Sequence, residues 1–182
     1  MLGHDPLAHP ERLIRRVYAY AAYRLGDGPE AEDATSETFE RAVRYRSSYD
    51  RSKGEPIGWL LGIARRCVDA ALAARVEAAA ELPDAVAHGD LEQDAVRRLI
   101  LASALARLGD RDRELLALRY GADLTAERIG ELLDMRTNAV EVGLHRALER
   151  LRPFLDAPTR VERAVRVEPL PAISRTGTTE HL

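Results

Sequence analysis

Leu124-Thr125-Ala126-Glu127-Arg128-Ile129-Gly130-Glu131-Leu132-Leu133-Asp134-Met135 is the stretch on which the reading of this 182-residue chain turns. Ile129 and Leu133 stand one helical turn apart, and after a short break Val140 and Leu144 repeat that spacing. Two short helices can therefore pack these side chains against one another. Gly130 lets the helices approach closely, and Thr125 is placed to cap the first of them. The pattern is a helix-turn-helix, which offers the start of its second helix to the major groove, where side chains reach base edges. Any tight helix pair mimics it, so a purely structural pair stays open at this point.

Outward from that stretch the chain remains helical. Apolar residues recur at helical spacing from Ala95 to Leu108, and Gly109-Asp110 makes a turn with Asp110 as N-cap for a helix over Arg111–Tyr120. The pair itself runs from Thr125 to about Asp134 and from about Thr137 to Leu155. Thr137 or Asn138 is the expected cap of the second helix. In the first half, helices are expected over Ala8–Leu25, Pro29–Arg46 and Pro56–Val76. Pro29 and Pro56 suit first helical positions because their missing N–H has no intrahelical partner there. Between the halves, residues 77–94 carry Glu77, Glu81, Asp84, Asp90, Glu92 and Asp94 with no Lys or Arg, and Pro83 and Gly89 interrupt them. That composition reads as an acidic flexible linker. From Pro158 the apolar period is lost, and residues 156–182 read as a disordered tail. No apolar–polar alternation of period two occurs, and no internal repeat. The expected fold is all-α: two small helical bundles, residues 8–76 and 95–155, joined by the linker.

Bulk properties narrow the function. The net charge of −3 is unlike a dedicated DNA binder, so nucleic-acid contacts must come from local patches. Cys67 is the lone cysteine, which excludes a disulfide framework and a thiolate zinc site, and reads as core packing. The histidines lack metal-ligand spacing, no glycine loop cradles phosphate, and no nucleophile elbow occurs. Neither an enzyme nor a cofactor or metal is expected. No apolar run reaches a membrane-spanning length and no signal core opens the chain, so a cytoplasmic protein without membrane insertion is expected.

Three blocks then carry a family resemblance. Arg111-Asp112-Arg113-Glu114-Leu115-Leu116-Ala117-Leu118-Arg119-Tyr120, the helix pair, and Leu144-His145-Arg146-Ala147-Leu148-Glu149-Arg150-Leu151-Arg152 resemble region 4 of bacterial sigma factors of the extracytoplasmic-function type. Ala31-Glu32-Asp33-Ala34-Thr35-Ser36-Glu37-Thr38-Phe39-Glu40-Arg41-Ala42 resembles region 2.2, and Gly58-Trp59-Leu60-Leu61-Gly62-Ile63-Ala64-Arg65-Arg66-Cys67-Val68-Asp69 resembles regions 2.3 to 2.4. The order and separation of the blocks fit as well. The resemblance implies a protein that binds core RNA polymerase, at its clamp and flap, and directs it to promoters. It assigns Asp33, Ser36 and Glu37 to the clamp. It assigns the loop Tyr49, Asp50, Arg51, Ser52 and Lys53, with Arg65 and Arg66, to the opened −10 element, where stacking and cationic contacts suit single strands. It sets Arg136, Thr137, Asn138, Glu141 and Val142 near −35 bases, and Arg119, Arg128 and His145 near phosphates. Arg146 fits either a phosphate or an acidic partner within the fold. An anti-sigma factor is a further expected partner.

Charge supports this division. Residues 27–40 hold six acids and no base, whereas residues 44–75 hold seven bases against three acids. Plain readings stand beside these: Asp33 and Glu37 as a solvated helix face, and Trp59 as core rather than a DNA-stacking ring. The chain also departs from the family. Glu141 and Gly143 occupy a lysine and an arginine position, and residues 69–75 keep only Arg75 of an arginine run. Each lost phosphate contact weakens affinity and its salt dependence, and Gly143 costs about 1 kcal/mol of helix stability. Two other readings follow: a sigma-like regulator that binds polymerase or an anti-sigma factor without reading DNA, and a free-standing repressor.

Overall fold

The computed structural model describes residues 5–79 and 93–156, and every regular element among them is helical. Helices α1 (Pro10–Leu25), α2 (Pro29–Arg44) and α3 (Pro56–Ala79) form the first bundle. Val17, Tyr20, Ala21, Ala31, Ala42, Leu60, Leu61, Ala64 and Val68 fill its centre, and Cys67 is buried among them as core packing. Proline stands at the first turn of α1 and of α2, where no hydrogen bond is lost. The expected extension of α2 to Arg46 fails, because the chain leaves the helix at Tyr45 and makes 3-10 turns at Arg46–Ser48 and Arg51–Lys53. Of the expected linker 77–94, residues 77–79 continue α3 and residues 93 and 94 open the next helix, and residue 156 of the expected tail still closes the last helix; residues 80–92 and 157–182 lie outside the described residues.

The second bundle holds α4 (Gln93–Ala106), α5 (Asp110–Leu116), α6 (Ala126–Leu133) and α7 (Thr137–Asp156). Thr125 caps α6 as expected, its hydroxyl accepting from the Arg128 N–H at 3.3 Å. Ile129, Val140, Leu144, Ala147 and Leu151 are buried where α6 meets α7. A Cβ on Gly130 would lie 2.6 Å from the Met135 carbonyl oxygen, so only glycine permits this turn.

Three local expectations are corrected. Asp110 does not cap α5: Gly109 is the N-cap, and the Asp110 carboxylate turns to Arg24 instead. The helix expected to run to Tyr120 ends as α-helix at Leu116 and continues as a π turn over Ala117–Gly121, closed by Ala122 N–H donating to Ala117 O at 2.9 Å. Neither Thr137 nor Asn138 caps α7; both lie inside it, and Arg136 precedes it, its carbonyl accepting from Ala139 and Val140.

The bundles are packed together, with α1 against α5 and the π turn. A Cβ on Gly121 would lie 2.8 Å from the Ala19 carbonyl oxygen and 3.0 Å from the Tyr20 Cα, so the two backbones nearly touch. Arg16 donates to the carbonyls of Ala122 and Asp123 at 2.7 and 2.9 Å.

Candidate nucleic-acid interface

The α6–α7 pair presents the start of α7 to solvent. Arg136, Thr137, Asn138, Glu141 and Val142 are all exposed, as are His145 and Arg146. A groove of about 530 Å³ gathers Arg136, Asn138, Val142 and Arg146, and adds Arg111, Met135 and Arg150. Four guanidinium groups thus face one carboxylate, Asp112, which pairs with Arg150. That concentration supplies a cationic patch on a chain of negative net charge. Arg146 makes no ion pair among the described residues, so the acidic-partner alternative finds no support. Neither Arg111 nor Arg150 stands out in the sequence, because one sits at the start of α5 and the other far along α7 from its exposed start.

Gly143 has a structural reason. Its Cβ would fall 2.7 Å from Leu115 Cδ1, so α5 packs into the space that a larger residue would fill. The helix-propensity penalty is therefore set against close contact of α7 with a buried leucine. His145 pairs with Glu149 along the neighbouring face of α7 at 3.4 Å.

Two of the expected phosphate contacts lie apart from this groove. Arg119 donates to Leu124 O at 2.8 Å and so braces the π turn. Arg128 pairs with Glu131 at 2.7 Å, and its guanidinium would be 3.3 Å from a Cβ on Gly54 of the first bundle.

The loop at 49–53 is a built structure. Asp50 accepts from the Ser52 hydroxyl at 2.7 Å and from its N–H at 2.9 Å, which holds its carboxyl below the usual range. Asp50 and Ser52 thereby shape the turn, leaving Arg51 and Lys53 exposed as its cations. Tyr49 donates to Gly54 O at 3.0 Å, and its ring stands 5.6 Å from Trp59 at a 56° tilt. Trp59 is half-buried against the core, so it serves packing and the loop together. Tyr49, Asp50, Lys53, Trp59 and Ile57 line a cavity of about 280 Å³, whose other wall is Leu124, Arg128, Glu131 and Leu132 from the second bundle.

Arg65 and Arg66 diverge. Arg66 is exposed, whereas Arg65 donates to Glu114 at 2.8 Å across the bundle interface. Arg24 meets the same carboxylate at 2.6 Å, with Asp110 at 3.0 Å and Asp69 at 3.3 Å. The Tyr20 hydroxyl donates to Glu114 at 3.0 Å. Burial foremost, then the Glu114 charge, pushes the Tyr20 phenol far above its ordinary pKa. Arg24 is only 2% exposed, so a guanidinium of α1 lies inside the molecule.

On the far side, α1 and α2 form an open groove of about 860 Å³ lined by Ile14, Tyr18, Glu32, Ser36, Phe39 and Val43. Ser36 lines it. Asp33 is exposed on the adjoining face, and Glu37 is paired with Arg41 at 2.5 Å. Val43 is 62% exposed, an apolar residue out of phase with the core. That phase was the available signal for the groove.

Comparison with known proteins agrees with this architecture. The model of sigma-70 region 2 matches residues 11–75, and that of sigma-70 region 4 matches residues 104–153. The ECF RNA polymerase sigma factor SigK of Mycobacterium ulcerans is 32% identical over 156 residues, covering 81% of this chain and 83% of that protein. The ECF sigma factor ShbA of Streptomyces griseus is 54% identical over 52 residues, 29% of this chain. Among solved structures, the sigma factor RpoE in complex with the anti-sigma factor NepR from Bartonella quintana superposes with a TM-score of 0.66. It is 18% identical, and the match covers 81% of this chain and 94% of that one. CnrH in complex with the cytosolic domain of CnrY gives 0.54 at 20% identity, covering 83% and 84%.

Proposed function

We propose, from the premise that this chain belongs to the extracytoplasmic-function sigma factors and directs RNA polymerase to particular promoters, how its surfaces divide that work. The observation that carries the reading is the arginine-lined groove at the exposed start of α7. Arg136, Asn138 and Val142 read −35 base edges there, with Thr137 and Glu141 beside them, while Arg111, Arg146 and Arg150 neutralise phosphates. The first bundle, residues 8–76, supplies the −10 contacts through Tyr49, Arg51, Lys53, Trp59 and Arg66. Asp33, Ser36 and Glu37 meet the polymerase clamp beside the α1–α2 groove. The second bundle, residues 95–155, carries the −35 contacts.

The chain lends specificity and carries out no reaction of its own. It acts in the cytoplasm, beside polymerase and promoter; no helix among the described residues is long and apolar enough to cross a membrane. RpoE and CnrH were solved with protein partners, an anti-sigma factor in the case of RpoE, and an anti-sigma partner is the corresponding reading for this chain.

The test is transcription with purified core enzyme on genomic promoter fragments. Promoter-specific transcripts are expected. Arg136→Ala should relax sequence preference at its base, with a loss of about 1–3 kcal/mol, whereas Arg150→Ala should weaken all promoters alike and lower the salt slope by about 1. Polymerase binding with no promoter-specific transcript would overturn the assignment in favour of a regulator that does not read DNA.

A further inference from the structure

We propose that Glu141 is a specificity residue of the −35 surface and selects a cytosine, its carboxylate accepting from the N4 amino group in the major groove. This rests on the assignment of the start of α7 to −35 bases.

Val140, Leu144, Ala147 and Leu151 are buried along one side of α7, while Asn138, Glu141 and Val142 stand exposed. Asn138 and Glu141 are three residues apart, about 4.5 Å along the helix axis. Base pairs rise by roughly 3.4 Å, so the two side chains address separate pairs. Arg111, Arg136, Arg146 and Arg150 gather in the groove on one flank of this strip, and Glu141 does not line that groove. Its charge is therefore not absorbed by those cations.

No structural duty holds a carboxylate at this position. Glu141 makes no hydrogen bond or ion pair among the described residues. His145, one turn further on, pairs with Glu149 instead. The first turn of α7 holds no acid, and Glu141 follows that turn, where attraction to the helix N-terminus has faded.

On a surface that meets phosphates, a carboxylate is repelled whatever the sequence. Only a base edge that donates offsets that cost. Cytosine shows the major groove its N4 donor and no acceptor. Guanine shows two acceptors, N7 and O6, and thymine shows O4 and a methyl group. Adenine sets its N6 donor beside the N7 acceptor, which opposes the second carboxylate oxygen. An ionised carboxylate accepts only, so it fits cytosine best and rejects guanine and thymine outright. Glu141 thus discriminates mainly by penalising the wrong pair.

The test uses holoenzyme assembled from core polymerase and the full chain. Starting from a promoter mapped with wild type, each −35 base pair is replaced in turn by the other three, and transcripts are counted. One position should require a C·G pair in a single orientation, with a loss of about tenfold for any other pair. In Glu141→Ala the preference should flatten at that position alone. In Glu141→Gln it should move to adenine on the strand that carried the cytosine, because an amide donates to N7 and accepts from N6.

A wild-type preference for an A·T or T·A pair at the position the variants affect would overturn the proposal. So would Glu141 variants that leave every position unchanged, or that weaken all positions alike. Asn138→Ala separates the two levels of the reading. If it flattens a −35 position while the Glu141 variants flatten none, α7 reads the element and only the role of Glu141 is wrong. If none of these variants alters any −35 position, the assignment of α7 falls and the proposal falls with it.

Discussion

Glu114→Gln tests the contact between the bundles at its centre. The side chain is 11% exposed and receives Arg24 at 2.6 Å, Arg65 at 2.8 Å and Tyr20 at 3.0 Å. Glutamine keeps the shape and an acceptor for Tyr20 but removes the charge that compensates two guanidinium groups. Breaking a buried pair by neutralising one partner costs about 3–5 kcal/mol. Arg24 retains Asp69 and Asp110, but their side chains are 61% and 75% exposed, so they offset only part of that loss. A net loss of about 2–3 kcal/mol is expected. It should fall on the coupling between bundles rather than on either core, because Glu114 makes its charged contacts across the interface. Urea unfolding followed by far-ultraviolet circular dichroism reports all helices, whereas fluorescence of the single tryptophan, Trp59, reports the first bundle and its seam with α6. In wild type the two curves should coincide, as one cooperative transition. In Glu114→Gln they should separate, since a bundle of roughly 60 residues is marginal by itself. Coincident curves shifted by less than about 0.5 kcal/mol would refute the reasoning, since that is the range of a surface substitution.

Further predictions concern pH, the turn and the clamp face. The Tyr20 phenol has its pKa raised in the fold, so its contribution is full below the unfolded value of about 10 and is lost as pH rises above it. In Tyr20→Phe, thermal melts from pH 9 to 12 should fall less steeply, the remainder coming from Tyr18 and Tyr23, which are also raised. At neutral pH the lost hydrogen bond should cost about 1 kcal/mol. Gly130→Ala must push against the Met135 carbonyl, and chemical unfolding should show a loss of about 1–3 kcal/mol despite the roughly 1 kcal/mol gained in helix propensity. Reversing Asp33 and Glu37 together to Lys should abolish binding to core polymerase in a pull-down while circular dichroism stays unchanged. The Glu37–Arg41 pair lost in that variant is a surface pair worth about 0.3–0.5 kcal/mol.

The helices were legible because their signals are local. Apolar residues at i, i+3 and i+4 mark the buried faces of α1 and α7, Pro29 and Pro56 mark starts, and Thr125 marks a cap. The contact between bundles was not legible, because its apolar and its ionic partners are both distant in sequence. Arg24 reads in sequence like the other arginines of α1, and nothing local says that Glu114 will reach it. Asp110 looked like a cap for the same reason: its true partner lies across the interface. At the reading surfaces, the exposed start of α7 followed from the helix-turn-helix spacing, whereas Arg111 and Arg150 join it only once α5 folds against α7. Arg119 and Arg128 were placed with the −35 contacts by motif position, but the turn brings one to its own backbone and the other to the first bundle.

The π turn at Ala117–Gly121 has a consequence for how this protein can change over generations. A π turn amounts to one residue inserted into a helix, and one residue corresponds to about 100° of rotation and 1.5 Å of rise. That insertion sets the angle at which Gly121 meets α1 and at which the chain departs toward α6 and α7. Substitutions can alter individual contacts of α7 or of the seam with α1, but they leave this angle in place. A single-codon deletion within 117–121 would restore a regular helix and re-aim both α7 and the interface in one step. Insertions and deletions here, rather than point changes, are the route by which a lineage would re-aim the second bundle.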